Sequence, residues 1–289
     1  MPLPLFPLLT PIIIAIICIY AAAIWKNTRK ANKSKTEEKV ISKPWVDDDL
    51  KDGTEFNIQQ QASKQLDEEI TAQHIPYSPK HYSEEEMMRR AKKFYELMNK
   101  RRSVRFFSDE PVPREVIDYV IRTAGTSPSG AHTEPWTFVV VQEPEMKRQV
   151  REIIEEEEEI NYKKRMGQTW VQDIQKMRTN WTKEYLEIAP YLILIFKQVY
   201  GNLPSGKKIH YYNEISVSIS CGILLAALQN VGLVTVTTTP LNCGPRLRAL
   251  LERPVNEKLL LLLPVGLPAK NVTVPDFHRK PLTDIMVLV

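Results

Sequence analysis

The first 25 residues contain no Asp, Glu, Lys, Arg or His, and residues 26–40 then carry six basic side chains against two acidic ones. No other feature constrains the chain more, because an apolar run closed by cations is a membrane-entry pattern, not part of a water-soluble core. As a helix rising about 1.5 Å per residue, residues 3–25 would measure roughly 34 Å, enough to cross a hydrocarbon core. Pro4, Pro7 and Pro11 weaken only the first part of that helix, and residues 12–25 are free of proline. The competing reading is a cleaved signal peptide, for which Ala21-Ala22-Ala23 offers a small-residue site. Against it, no basic segment precedes the run, and the run exceeds a usual signal core of about 7–15 residues. The expectation is a single-pass anchor in the lipid bilayer, with everything after the basic flank in the cytosol. Two glycosylation acceptor patterns, Asn180-Trp181-Thr182 and Asn271-Val272-Thr273, should then stay unmodified.

The net charge of +4 belongs to that basic arm, since the rest of the chain balances to zero. A neutral body argues against a nucleic-acid partner. At 43% hydrophobic residues the chain can bury a full core. Its three cysteines, Cys18, Cys221 and Cys243, are too few and too scattered for a disulfide framework or a zinc site. No metal-ligand spacing, no GxGxxG and no GxSxG is present.

Residues 26–80 are polar and aperiodic, with Gln59-Gln60-Gln61 and the acidic Asp47-Asp48-Asp49, and read as a flexible tether. The domain expected over residues 81–289 opens on Ser83-Glu84-Glu85-Glu86, a capping-box pattern that starts a helix ending at Lys100. Further helices are expected over 113–124, 145–166, about 170–187 and 214–231, the last of them buried. Strands are expected over 136–141, 191–196, 233–238, 259–263 and 285–289. The 191–196 run has no polar face and should be central; the terminal strand must find something to pair with. Helices and strands mix without a strict βαβ rhythm, which points to an α+β layer fold.

Three segments carry chemistry-bearing residues. Arg101-Arg102-Ser103-Val104-Arg105 concentrates guanidiniums that could grip a phosphate bidentately, or could form a solvated basic turn. Residues 126–136 form a Pro- and Gly-containing loop whose small side chains admit a planar ring, or simply join a helix to a strand. Thr235-Val236-Thr237-Thr238-Thr239-Pro240 ends a strand in successive hydroxyls, where β-propensity is the plainer explanation.

Taken with the apolar helix and Pro264-Val265-Gly266, these segments resemble the FMN-dependent nitroreductase superfamily. Within it the chain is similar to the membrane-anchored branch that removes halide from halotyrosines. The most specific marker is the tract from Ile153-Ile154-Glu155 to Lys164-Arg165-Met166, and His132 and Glu134 stand where many bacterial relatives carry amides. The resemblance implies a nitroreductase-like fold, a central mixed sheet flanked by helices in a domain-exchanged homodimer with FMN at the interface. It implies that Arg101, Arg102, Ser103, Val104 and Arg105 hold the phosphate and ribityl chain, that Pro128 and Ser129 line the flavin, and that Arg279 reaches it from the C-terminal arm. Thr237, Thr238 and Thr239 would lie along the isoalloxazine, with the Thr239 hydroxyl at N5.

A halotyrosine is a zwitterion with an acidic phenol. Glu158 and Tyr162 stand four apart and share a helix face, so Glu158 can take the ammonium with Tyr162 beside it. Lys183 can take the carboxylate, and the Ala131 backbone N–H can hold the phenolate. The other glutamates of residues 155–159 read as a solvated face. The segment at about 155–183 should act as a lid that orders on the ligand. The implied activity is reductive deiodination of mono- and diiodotyrosine to tyrosine and iodide, salvaging iodide for thyroid hormone synthesis. Electrons would come from NADPH, through a separate reductase because no nicotinamide fingerprint is present. A membrane-anchored nitro- or quinone reductase and a catalytically silent flavin-fold interaction module are the alternatives.

Overall fold

The computed structural model describes residues 48–51, 73–204 and 206–289; the apolar run at 3–25 and most of the expected tether lie outside them. Among the described residues no helix is long and apolar enough to cross a membrane. Helix α1 (Glu84–Asn99) starts where the capping pattern places it, with the Ser83 hydroxyl accepting the Glu86 N–H at 3.3 Å. Glu86 does not reach back; it pairs forward with Arg89 and Arg90, both at 2.7 Å. Helix α2 (Arg114–Gly125) follows, burying Ile117, Val120 and Ala124.

A four-stranded sheet organises the rest, in the order β1 (Trp136–Val141), β2 (Tyr191–Gln198), β6 (Glu257–Gly266), β5 (Val234–Thr235). Named strands pair antiparallel, and a single parallel bridge, Ser103 to Thr235, makes the sheet mixed. β2 is central, and its two-residue alternation serves two cores at once. Leu192, Leu194 and Phe196 pack with Val150 and Ile154 of α3 (Pro144–Ile160) and Leu247 of α7 (Gly244–Leu250). Tyr191, Ile193 and Ile195 pack with α2 and with Val217, Cys221, Leu224 and Leu228 of α6 (Asn213–Asn230). Both faces are covered, which is why the strand has no polar side. Phe196 is fully buried, so Phe196→Ala should cost about 3–5 kcal/mol of unfolding free energy in a denaturant titration.

Several expected elements differ. The helix expected over 145–166 stops at Ile160 and continues as a π-helical turn, Asn161–Arg165. The helix expected over 170–187 is two short pieces, α4 (Gly167–Gln175) and α5 (Tyr185–Ile188), because Arg178 adopts φ 52° and no regular helix crosses a left-handed residue. The strand expected over 233–238 leaves the sheet after Thr235 and touches β6 again only at Thr238. α6 buries one side only, leaving Ile215 and Ile219 exposed. The expected strand at 285–289 does not form; Val287 and Leu288 are 85% and 90% exposed, since β-propensity without an edge to pair with makes no strand. A hairpin of β3 (Tyr200–Leu203) and β4 (Gly206–Ile209) was not expected. Residues 48–51, expected within the tether, form a 3₁₀ turn against β6, with Asp49 bridging Arg248 at 3.0 Å and Lys258 at 3.1 Å. Buried cations favour such a carboxylate, so this stretch is not free chain.

Candidate active site

The turn between α1 and α2 is held by backbone pairing. Val104 N–H donates to Thr235 O at 3.0 Å, fixing the arginine segment to the end of β5. The C-terminal arm closes over it, with Arg102 donating to Pro275 O and Arg279 donating to Arg101 O at 2.9 Å. Arg101, Arg102, Ser103, Arg105 and Arg279 thereby line one cleft of about 110 Å³. Burial, then the charges of Arg279 and Arg102, lower the Arg101 pKa. A cluster of guanidiniums working against one another is the donor set an anionic group such as a phosphate would neutralise.

Arg105 also lines a second cavity of about 200 Å³, together with Glu158, Tyr162, Lys183, Thr237, Thr238 and Thr239. Glu158 comes from the last turn of α3 and Tyr162 from the π-helical turn, where the Met166 N–H reaches back to Asn161 O at 3.0 Å. Asn161 is buried and clamps this turn, donating to Glu158 at 3.3 Å and accepting from Arg165 at 2.9 Å. The Tyr162 ring is wedged edge-on between Trp170, at 5.0 Å, and Trp181, at 5.9 Å. Burial, then Glu158, pushes its phenol up to about 12, so it stays neutral in the physiological range.

Lys183 is 7% exposed and its ammonium lies 3.5 Å from Glu158 and 5.3 Å from the Tyr162 ring centroid. Its amine also donates to Asn180 O. Burial lowers the Lys183 pKa and Glu158 opposes that shift. A carboxylate and an ammonium side by side in a half-enclosed pocket are complementary to a zwitterion presented the other way round. Of the three threonines, Thr238 spends its hydroxyl on Leu262 O at 2.9 Å, while Thr237 and Thr239 are exposed.

Pro128, Ser129 and Ala131 line neither cavity. Their loop sits at the start of α6, where Gly130 N–H donates to Ser216 at 3.3 Å. A Cβ on Gly130 would fall 2.7 Å from Tyr211 O, so only glycine allows that approach. Ala131, His132 and Glu134 all have positive φ, at 50°, 52° and 46°. Such conformations in non-glycine residues are costly and concentrate at functional loops.

Residues 98–267 match the Nitroreductase family. The chain belongs to the nitroreductase family. Among members of that family, it is 63% identical to iodotyrosine deiodinase of Danio rerio, an alignment covering 98% of this chain and 99% of that one. It is likewise 63% identical to iodotyrosine deiodinase 1 of Homo sapiens, over 97% of this chain and 99% of the relative. A crystal structure of oxidized iodotyrosine deiodinase bound to FMN and 3-iodo-L-tyrosine superposes with a TM-score of 0.57 at 32% identity, covering 65% of this chain and 96% of that one.

Met166, Trp170 and Ile174 line the Lys183 pocket together, though none is among the candidate site residues named from the sequence. Their four-residue spacing marks one helix face and was legible. The π-helical turn and the left-handed Arg178 carry no such signature, because both depend on what packs against them.

Proposed function

We propose that this protein is an FMN-dependent reductive dehalogenase that converts mono- and diiodotyrosine to tyrosine and iodide. The observation that carries this is the Glu158–Lys183 pair beside Tyr162, a charge arrangement made for an amino-acid zwitterion and superfluous for a plain quinone or nitroarene. The identity to iodotyrosine deiodinases over nearly the whole chain supports it. The cluster of Arg101, Arg102, Arg105 and Arg279 suits the flavin phosphate, with the exposed Thr237 and Thr239 hydroxyls placed for the ring. When bound in its reduced form, FMN would supply the two electrons that, with a proton from water, exchange the carbon–iodine bond for a carbon–hydrogen bond and release iodide.

The chain's own residues do the rest. Glu158 takes the substrate ammonium and Lys183 its carboxylate, so the internal ion pair is exchanged for two pairs with the ligand. Tyr162, neutral and locked between two tryptophans, walls the pocket and excludes water. The Ala131 N–H holds the phenolate oxygen, and the Thr239 hydroxyl serves N5 of the flavin. Because the loop of Pro128, Ser129 and Ala131 lies apart from the Lys183 pocket in one chain, this reading needs a second copy to deliver it. The exposed Ile215 and Ile219 on α6, the exposed Met88 and Tyr95 on α1 and the exposed tail are the apolar surface such a homodimer would cover. In this reading the apolar run at 3–25 anchors the protein in a membrane with the catalytic domain cytosolic, and NADPH supplies electrons through a separate reductase.

The direct test is anaerobic: the dithionite-reduced flavoprotein is mixed with 3-iodotyrosine and released iodide is measured. Stoichiometric iodide and tyrosine are expected. A protein that reduces nitroarenes but releases no iodide would be a general reductase, and one that purifies without flavin would be a non-catalytic module.

A further inference from the structure

Helix α3 does more than carry Glu158. Lys147, Arg151 and Glu155 stand four apart on one face, and each grips residues 183–189. The Lys147 ammonium donates to Glu187 O at 2.7 Å and Ala189 O at 2.9 Å. Arg151 pairs with the Glu187 carboxylate at 3.1 Å and with Glu155 at 2.7 Å. Glu155, held by Arg151, accepts the backbone N–H of Lys183. The first two side chains hold the far end of the segment; Glu155 holds the residue that faces the pocket.

The ion pair between Glu158 and Lys183 is a second tie from α3 to Lys183, and it is the one a zwitterionic ligand dissolves. Residues 179–182 contain no regular helix or strand. Their hydrogen bonds from Thr182 N–H to Asn180, at 2.9 Å, and from Lys183 to Asn180 O lie within the segment, and Thr179 and Trp181 meet Tyr162 of the π-helical turn, beyond the end of α3. Once ligand occupies both charges, the Glu155 contact remains to set where the Lys183 ammonium sits.

We propose that Glu155 is a positioning residue for recognition of the amino-acid end of the substrate, acting through the Lys183 backbone and itself oriented by Arg151. This rests on the reading of the pocket given above. A misplaced ammonium weakens its bond to the substrate carboxylate but leaves the flavin untouched, so the effect belongs in ground-state binding.

The test uses the FMN-loaded protein and flavin-fluorescence titrations with 3-iodotyrosine and, as a ligand without the zwitterion, 2-iodophenol. Glu155→Ala should weaken 3-iodotyrosine about tenfold or more, leave 2-iodophenol within about twofold, and raise KM with kcat nearly unchanged. Glu155→Gln, which keeps an acceptor for the Lys183 N–H, should recover most of the loss. Should the alanine variant fail to fold, Glu155→Asp keeps the charge but withdraws it by one methylene, and about a threefold loss confined to 3-iodotyrosine is expected. Unchanged 3-iodotyrosine affinity, or equal losses for both ligands, overturns the proposal. A wild-type protein that binds iodotyrosine no better than iodophenol instead overturns the reading of the pocket itself.

Discussion

Lys183→Gln should raise KM for 3-iodotyrosine on the order of 100- to 1,000-fold while changing kcat far less. The substitution leaves the Glu158 carboxylate, only 14% exposed, without the ammonium beside it, and leaves the substrate carboxylate without a counter-charge. Truncating one partner of a buried charge pair between protein and ligand costs about 2–5 kcal/mol, and a 100- to 1,000-fold loss, about 2.7–4.1 kcal/mol, falls inside that range. Reduction of a ligand lacking the amino-acid end should be unaffected. A pH signature accompanies the loss. Burial lowers the Lys183 pKa, so the free enzyme loses this ammonium at a lower pH than a solvated lysine would. KM of the wild type should therefore climb on the alkaline side, and the glutamine variant should show no such limb. Steady-state KM against pH for both proteins checks this; a variant with wild-type KM would remove Lys183 from the site.

Removing Arg101 and Arg279 together should abolish retention of FMN while leaving the flavin-free protein as stable as before, or more so. Charge-assisted hydrogen bonds contribute about 1.5–3 kcal/mol each, so losing two predicts a fall in flavin affinity on the order of 100- to 10,000-fold. The opposite sign for the flavin-free protein follows from Arg101, whose pKa is lowered by burial and by Arg279 and Arg102. Guanidiniums that repel one another destabilise the empty cleft and become favourable only with an anion among them. Thermal melts with and without FMN separate the two effects. A double variant that purifies yellow, or that melts lower without flavin, would show the cluster to be scaffolding and not a phosphate grip.

Two scales of information meet in this chain. The apolar run at 191–196, the cap at Ser83 and the basic arm were legible locally, because periodicity, capping and charge are properties of neighbouring residues. Grouping Arg101, Glu158, Lys183 and Thr239 needed a family resemblance, since no spacing rule links residues so far apart in sequence. The role of Glu155 was missed outright: in a run of five glutamates nothing local separates the one that accepts the Lys183 N–H from those in solvent.

What the amino-acid sequence determined by itself was therefore the inventory: most of the helical and extended stretches, which strand is buried on both sides, and which residue types are present for anion and zwitterion binding. Tertiary structure alone decided the breaks at Ile160 and Arg178, the absence of a strand at 285–289, and the pairing of Lys183 with Glu158. The physical reason is that element type follows from short-range sterics and patterning, whereas termination, pairing and electrostatic partnership are settled by whichever surfaces the packed chain brings within a few ångströms.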